Sequence, residues 1–294
     1  MPKHDIALFC KSYAGDIKRF KKLLSSIEQY NTDRLPFFVS VPNADLNVFR
    51  PLLSNISFVI LLSDEDLLNE SNALGNAKSS DYSGSLLQQI VKVAFGMIGK
   101  ASCYVVIDSD SFFIRPFSKG DFSMDDGFPI TVMHECEDLL EFSEQNKMHF
   151  VKTNYQRERK KLQRLFNRTG NIYDFGPTPV VWGSEVWEKL KDDYLRKNNI
   201  SLGALISKYP SELLLYGEAL LEYKTFPIYA RKPLFKVFHY KEQFEALEDA
   251  QRSSVNLAGK YLGIVMQSNW YKINKKLSPT NRLYLFLKNM RRKK

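Results

Sequence analysis

Short apolar runs alternate with helical patterns through the first 107 residues, and this alternation constrains the fold more than any other feature. Residues 5–10, 36–41, 57–62 and 103–107 read as strands, whereas 16–30, 44–53 and 86–98 read as helices. Apolar strands separated by helices belong to a mostly parallel sheet covered by those helices. The expected class is α/β. The second half is less regular: 129–134 and 179–182 suit strands, and 144–166, 184–197 and 211–223 suit helices. Neither an internal repeat nor a low-complexity linker is visible, so both halves are expected to share one continuous fold.

The last strand of the first half leads into chemistry. Residues Tyr104 to Ile107 run straight into Asp108-Ser109-Asp110. Side chains alternate faces only while a chain stays extended, so it must turn at Ser109 for both carboxylates to converge on one ion. Hard cations such as Mg²⁺ and Mn²⁺ take oxygen ligands, commonly one or two carboxylates plus substrate phosphates. Open α/β sheets place ligands at such strand ends. So short a motif also allows the plainer alternative, two acids that end a strand and face water.

Composition narrows the partners. The 294 residues carry a net charge of +9, with basic excess in 157–168 and 272–294, which favours anionic partners. In the tail, Trp270, Tyr271, Tyr284, Phe286 and Met290 are interleaved with lysines and arginines. That mixture suits an anionic membrane surface, and a terminal helix packed on the domain with a solvated basic end is the alternative. No nucleic-acid-binding module is visible, so nucleic acid is not an expected partner. Cys10, Cys103 and Cys136 lack paired or metal-type spacing and read as reduced, buried thiols. The N-terminus has no signal-peptide pattern and no run reaches transmembrane length. The expected location is the cytoplasm, with peripheral attachment to the inner face of the cytoplasmic membrane.

Several short motifs occur in a particular order. They are Lys11-Ser12-Tyr13-Ala14-Gly15-Asp16, Gln88-Gln89-x-x-Lys92, Asp108-Ser109-Asp110, Thr178-Pro179-Val180-Val181-Trp182, Ser211-Glu212 through Gly217, and Phe238-His239-Tyr240. In this order they resemble bacterial nucleotide-sugar glycosyltransferases of the GT-A fold, similar to those encoded with surface-polysaccharide genes, over roughly residues 5–240. The resemblance implies a Rossmann-like, mixed and mostly parallel sheet covered by helices. It divides the chain into a domain over 1–240, with a nucleotide-sugar half at 1–116 and an acceptor half at 117–240. A helical basic extension is expected over 241–294.

The same resemblance implies roles. Asp108 and Asp110 would hold Mn²⁺ or Mg²⁺ on the donor diphosphate, and His239 is the candidate further ligand. Glu212, at a helix start, would be the general base of an inverting transfer, with Asp174 and Glu218 as rivals. Trp182 is a further acceptor-side candidate. Ser12, Tyr13, Asp64, Gln88, Lys92 and Asp108 are donor-binding candidates; Gln88 and Lys92 lie four apart and share a helical face. The expected reaction moves a sugar, by default from a UDP-sugar, to a hydroxyl of a lipid-linked or growing surface glycan. Two other classes stay open. One is a haloacid-dehalogenase-like phosphatase with Asp108 as nucleophile, and the other a non-enzymatic basic protein that binds membrane or nucleic acid.

Overall fold

The structure, a computed structural model, describes residues 4–136, 140–141, 143–144, 149–238 and 257–266. Its main sheet has five strands: β1 (His4–Lys11), β2 (Phe37–Val41), β3 (Val59–Ser63), β4 (Ala101–Val106) and β7 (Val180–Gly183). They lie in the order β3-β2-β1-β4-β7. The first four are parallel, with Leu8 opposite both Phe37 and Val105, whereas β7 runs antiparallel to β4. The mixed, mostly parallel sheet expected from the sequence is present.

Alternation along each strand divides the core into two layers. Ala7, Phe9, Tyr104 and Val106 pack under α4 (Gly84–Met97) and the second-half helices α6 (Ser184–Leu190), α7 (Leu202–Lys208) and α8 (Glu212–Tyr223). Ile6, Leu8, Cys10, Cys103, Val105 and Ile107 pack under α1 (Ile17–Tyr30) and α2 (Leu46–Leu53). Each fully buried aliphatic or aromatic side chain contributes roughly 1.5–3 kcal/mol of transfer free energy, so strands apolar on both faces are held from both sides.

Two differences from the sequence reading stand out. Residues 64–71 form a helix, α3 (Asp64–Ser71), where the sequence pattern suggested no regular element. The Ser63 hydroxyl caps it by accepting from the Asp66 N–H, and Asp64, Glu65 and Asp66 complement the dipole of its first turn. Residues 263–266 fall within the expected helical extension but form a strand, β10 (Gly263–Met266). It lies between β5 (Ser111–Phe113), antiparallel, and β9 (Phe235–Phe238), parallel. A short pair, β6 (Ile130–Val132) with β8 (Tyr229–Arg231), and helix α5 (His149–Leu165) are further elements. His239 and the basic tail over 272–294 lie outside the described residues.

Candidate active site

The C-terminal ends of β1 and β4 open on the same edge, and the sequence folds there in a way that brings acids and a lysine together. The Ser111 N–H donates to the Asp108 carbonyl at 3.0 Å, so the chain turns through Ser109 as the carboxylate pair requires. The Ser109 hydroxyl donates to Asp16 Oδ2 at 3.0 Å and ties this turn to the loop after β1. The Asp110 carbonyl accepts from the Met266 N–H at 3.0 Å, so β10 anchors the turn's far side.

Asp108 is held by two partners. Lys92 Nζ lies 2.7 Å from its Oδ1, and the Thr178 hydroxyl donates to its Oδ2 at 2.5 Å. Lys92 Nζ also donates to Glu212 Oε1 at 3.2 Å. One buried ammonium thus joins the strand end to the first residue of α8. Burial would push the Asp108 carboxyl up, but Lys92 and the hydrogen bonds from Lys92 and Thr178 outweigh it and hold the pKa down. Burial would likewise depress the Lys92 amine, yet Asp108 and Glu212 outweigh it and its pKa is raised. Asp108 and Lys92 are therefore both charged near neutral pH.

The framework around this triad is well braced. The Tyr104 hydroxyl donates to the Lys92 carbonyl at 3.0 Å, and the Gly183 N–H donates to the Tyr216 hydroxyl at 2.8 Å, which ties α8 to β7. The Ser211 hydroxyl caps α8 by accepting from the Leu214 N–H at 3.3 Å. Gly217 is required in α8 because any Cβ there would overlap the Phe175 ring, which belongs to the loop carrying Thr178.

On the β1 side the candidates separate. Tyr13 is 48% exposed, its ring lies over Gly15, and Lys11 Nζ sits 5.6 Å from the ring centroid. It presents an open aromatic face. Ser12 is buried, and its hydroxyl has no hydrogen-bond partner among the described residues. Asp64 is turned inward: the Ser40 hydroxyl donates to it at 2.5 Å and Lys11 lies 3.3 Å away. Burial raises its pKa, with Lys11 opposing. Asp64 therefore braces the end of β1, and a direct donor contact is not what its surroundings provide.

Other expectations also need correction. Lys92 shares a helical face with half-buried Gln88, but its side chain is buried and spends its ammonium on Asp108 and Glu212. Glu218 is fully buried and gripped by Arg168, with Nε at 2.6 Å and Nη2 at 2.8 Å, so it locks α8 in place and cannot meet an acceptor. Asp174 is paired with Arg159 at 2.6 Å and accepts from the Gly176 N–H at 3.1 Å, which makes it a loop brace. Trp182 lies in the core, stacked on Tyr216 at 5.4 Å and edge-on to Trp187 at 5.1 Å, because every β7 side chain is covered. Thr178 is the site residue whose role the sequence reading missed. Its motif was visible, but its contact with Asp108 spans 70 residues.

The residues present suit a divalent cation of the oxygen-preferring kind. Each Asp108 oxygen has more than one lone pair, so Lys92 and Thr178 leave acceptor capacity, and Asp110 follows within the same turn. The described residues contain no group of three or more metal-ligating side chains, so a closed protein cage is not formed by them. Two carboxylates completed by substrate phosphates is the arrangement that Mg²⁺ accepts.

Fold and site together define an α/β protein with a carboxylate pair at a parallel strand end, coupled through a buried lysine to a helix-initiating glutamate. The chain belongs to the family of unknown function DUF6492, whose model matches residues 6–278. No curated protein matches it in sequence. Among solved structures it is similar to mouse xyloside xylosyltransferase 1 in its apo form, at 14% identity and TM-score 0.46, covering 90% of this chain and 98% of that one. It is also similar to the apo WbbM bifunctional glycosyltransferase, at 12% identity and TM-score 0.49, covering 91% of this chain and 46% of that one.

Proposed function

We propose that this protein is a metal-dependent glycosyltransferase that moves a sugar from a nucleotide diphosphate donor to an acceptor hydroxyl. The observation that supports the reading is the Asp108–Lys92–Glu212 network, in which one ammonium links the carboxylate proposed for the leaving-group side to the one proposed as base. A UDP-sugar is the proposed donor, and the acceptor is a lipid-linked or growing glycan at an anionic membrane surface. No helix among the described residues is long and apolar enough to cross a membrane.

Asp108 and Asp110 would hold Mn²⁺ or Mg²⁺, which when bound would supply positive charge against the leaving diphosphate. Tyr13 would pack on the nucleobase, with the buried Ser12 hydroxyl beside it. Glu212 Oε1 is held by Lys92, and Oε2, which has no partner among the described residues, would accept the proton of the attacking hydroxyl. The new bond forms between that oxygen and the sugar's anomeric carbon while the bond to the diphosphate oxygen breaks. The electron pair leaves with the nucleotide, and the anomeric centre inverts.

A phosphatase using Asp108 as nucleophile is less well supported, because Lys92 and Thr178 hold both of its oxygens. The deciding experiment is donor turnover with Glu212→Gln. Donor binding should persist while transfer and donor hydrolysis fall by about 10²–10⁴-fold, the usual contribution of a general base. Unchanged transfer would remove Glu212 from the role.

A further inference from the structure

Helix α5 has an exposed face that the proposed reaction does not use. Phe150, at its start, is 61% exposed, more than any other large apolar side chain among the described residues. Asn154, Arg157, Lys161 and Arg164 follow at helical spacing along the same exposed stripe, with Lys160 beside them. Lys161 donates to the Lys208 carbonyl at 3.0 Å, which brings exposed Lys208 to the edge of the patch. Within α5, Glu158, 3.1 Å from Arg157, is the one acidic residue beside Arg157, Lys160, Lys161 and Arg164. The opposite face is packed through Tyr155 and Leu162.

The patch is fixed to the body that carries Glu212. Arg159 pairs with Asp174, and Arg168, just beyond α5, clamps Glu218 in the middle of α8. A rigid basic helix with one protruding phenyl ring has the chemistry of an interfacial element: cations for lipid phosphates and an apolar group for the headgroup boundary. The chain's net charge of +9 has the same sign.

We propose that this face of α5 docks the protein on an anionic lipid bilayer, with Phe150 entering the headgroup region and Arg157, Lys160, Lys161, Arg164 and Lys208 meeting lipid phosphates. A single outward helix face suits a broad surface better than a nucleic-acid strand, which is usually followed by a groove with several stacking aromatics. Docking does not depend on glycosyl transfer; only its use in presenting a lipid-linked acceptor rests on that reading.

The test is sedimentation of the full chain with vesicles of phosphatidylcholine alone or mixed with phosphatidylglycerol, at low and high salt. The parent should bind the anionic vesicles, lose binding as salt rises, and ignore neutral ones. Combined Arg157→Glu, Lys160→Glu, Lys161→Glu and Arg164→Glu should weaken binding by about tenfold or more. Phe150→Ser alone should weaken it several-fold with an unchanged melting temperature, which guards against misfolding of the charge variant. Neutralising Arg291 to Lys294 should leave the dependence on Phe150 intact. Binding by both α5 variants equal to the parent, parental binding indifferent to lipid charge, or no parental vesicle binding would overturn the proposal. So would stronger α5-dependent binding to a DNA oligonucleotide than to anionic vesicles.

Discussion

Lys92→Met removes the ammonium between two carboxylates while keeping most of the buried stem. Lys92 Nζ lies 2.7 Å from Asp108 Oδ1 and 3.2 Å from Glu212 Oε1, and its side chain is only 2% exposed. Deleting one partner of a buried ion pair typically costs about 3–5 kcal/mol, because the other charge is left uncompensated. Glu212 is close to that limit at 10% exposure, whereas Asp108, at 27%, recovers part of its solvation and keeps Thr178. We expect a loss of roughly 3 kcal/mol at neutral pH. That corresponds to a melting temperature lower by roughly 6–12 °C for a chain of this size.

The pH dependence supplies the sharper check. Asp108 is held below its ordinary value of 3.8, so its stabilising contribution is complete above that value and disappears as pH falls through the lower folded value. In Lys92→Met the depressing charge is gone and burial pushes the carboxyl up. The stability gap between parent and variant should be widest near neutral pH and narrow in acid. Urea unfolding of both proteins across this range measures it. A gap under about 1 kcal/mol at neutral pH, or one independent of pH, would refute the argument that Lys92 neutralises two carboxylates.

Other outcomes follow from the same geometry. Tyr13→Ala should raise the KM or Kd for donor nucleotide while barely moving the melting temperature, because the ring is exposed and rests on Gly15; titration with nucleotide diphosphates checks it. Glu218→Gln should destabilise by about 2–4 kcal/mol by leaving Arg168 without its carboxylate, yet the folded fraction should retain its donor affinity. Burial pushes the Cys103 thiol up to about 12 and raises Cys10 as well, so neither should react with a disulfide reagent near pH 8 until the protein unfolds.

The parallel half of the fold was legible because β1 to β4 are apolar on both faces and α1 and α4 carry clear helical periodicity. Helix α3 was missed because Asp64-Glu65-Asp66 reads as a solvated loop until Ser63 is recognised as its cap. The carboxylate pair and Glu212 were visible as residue types at a strand end and a helix start. Their coupling was not, since Lys92 and Glu212 are 120 residues apart and only tertiary packing brings them together. The same reason hid the partners of Glu218 and Asp174, which turned two candidate bases into braces. Trp182 illustrates another limit: a motif can be named correctly while its side chain faces the core.

Under the proposed function, Asp108 and Asp110 form a cation-dependent site for the diphosphate of a nucleotide. Calorimetric titration of the full chain with UDP, in the presence of Mn²⁺ or after chelation, tests it most directly when run beside Asp110→Ala. Binding that requires the cation and is lost in a folded Asp110→Ala protein is the predicted result. Equal UDP affinity with and without the cation, or an unchanged affinity in Asp110→Ala, would show that the diphosphate does not bind through a cation on this carboxylate pair.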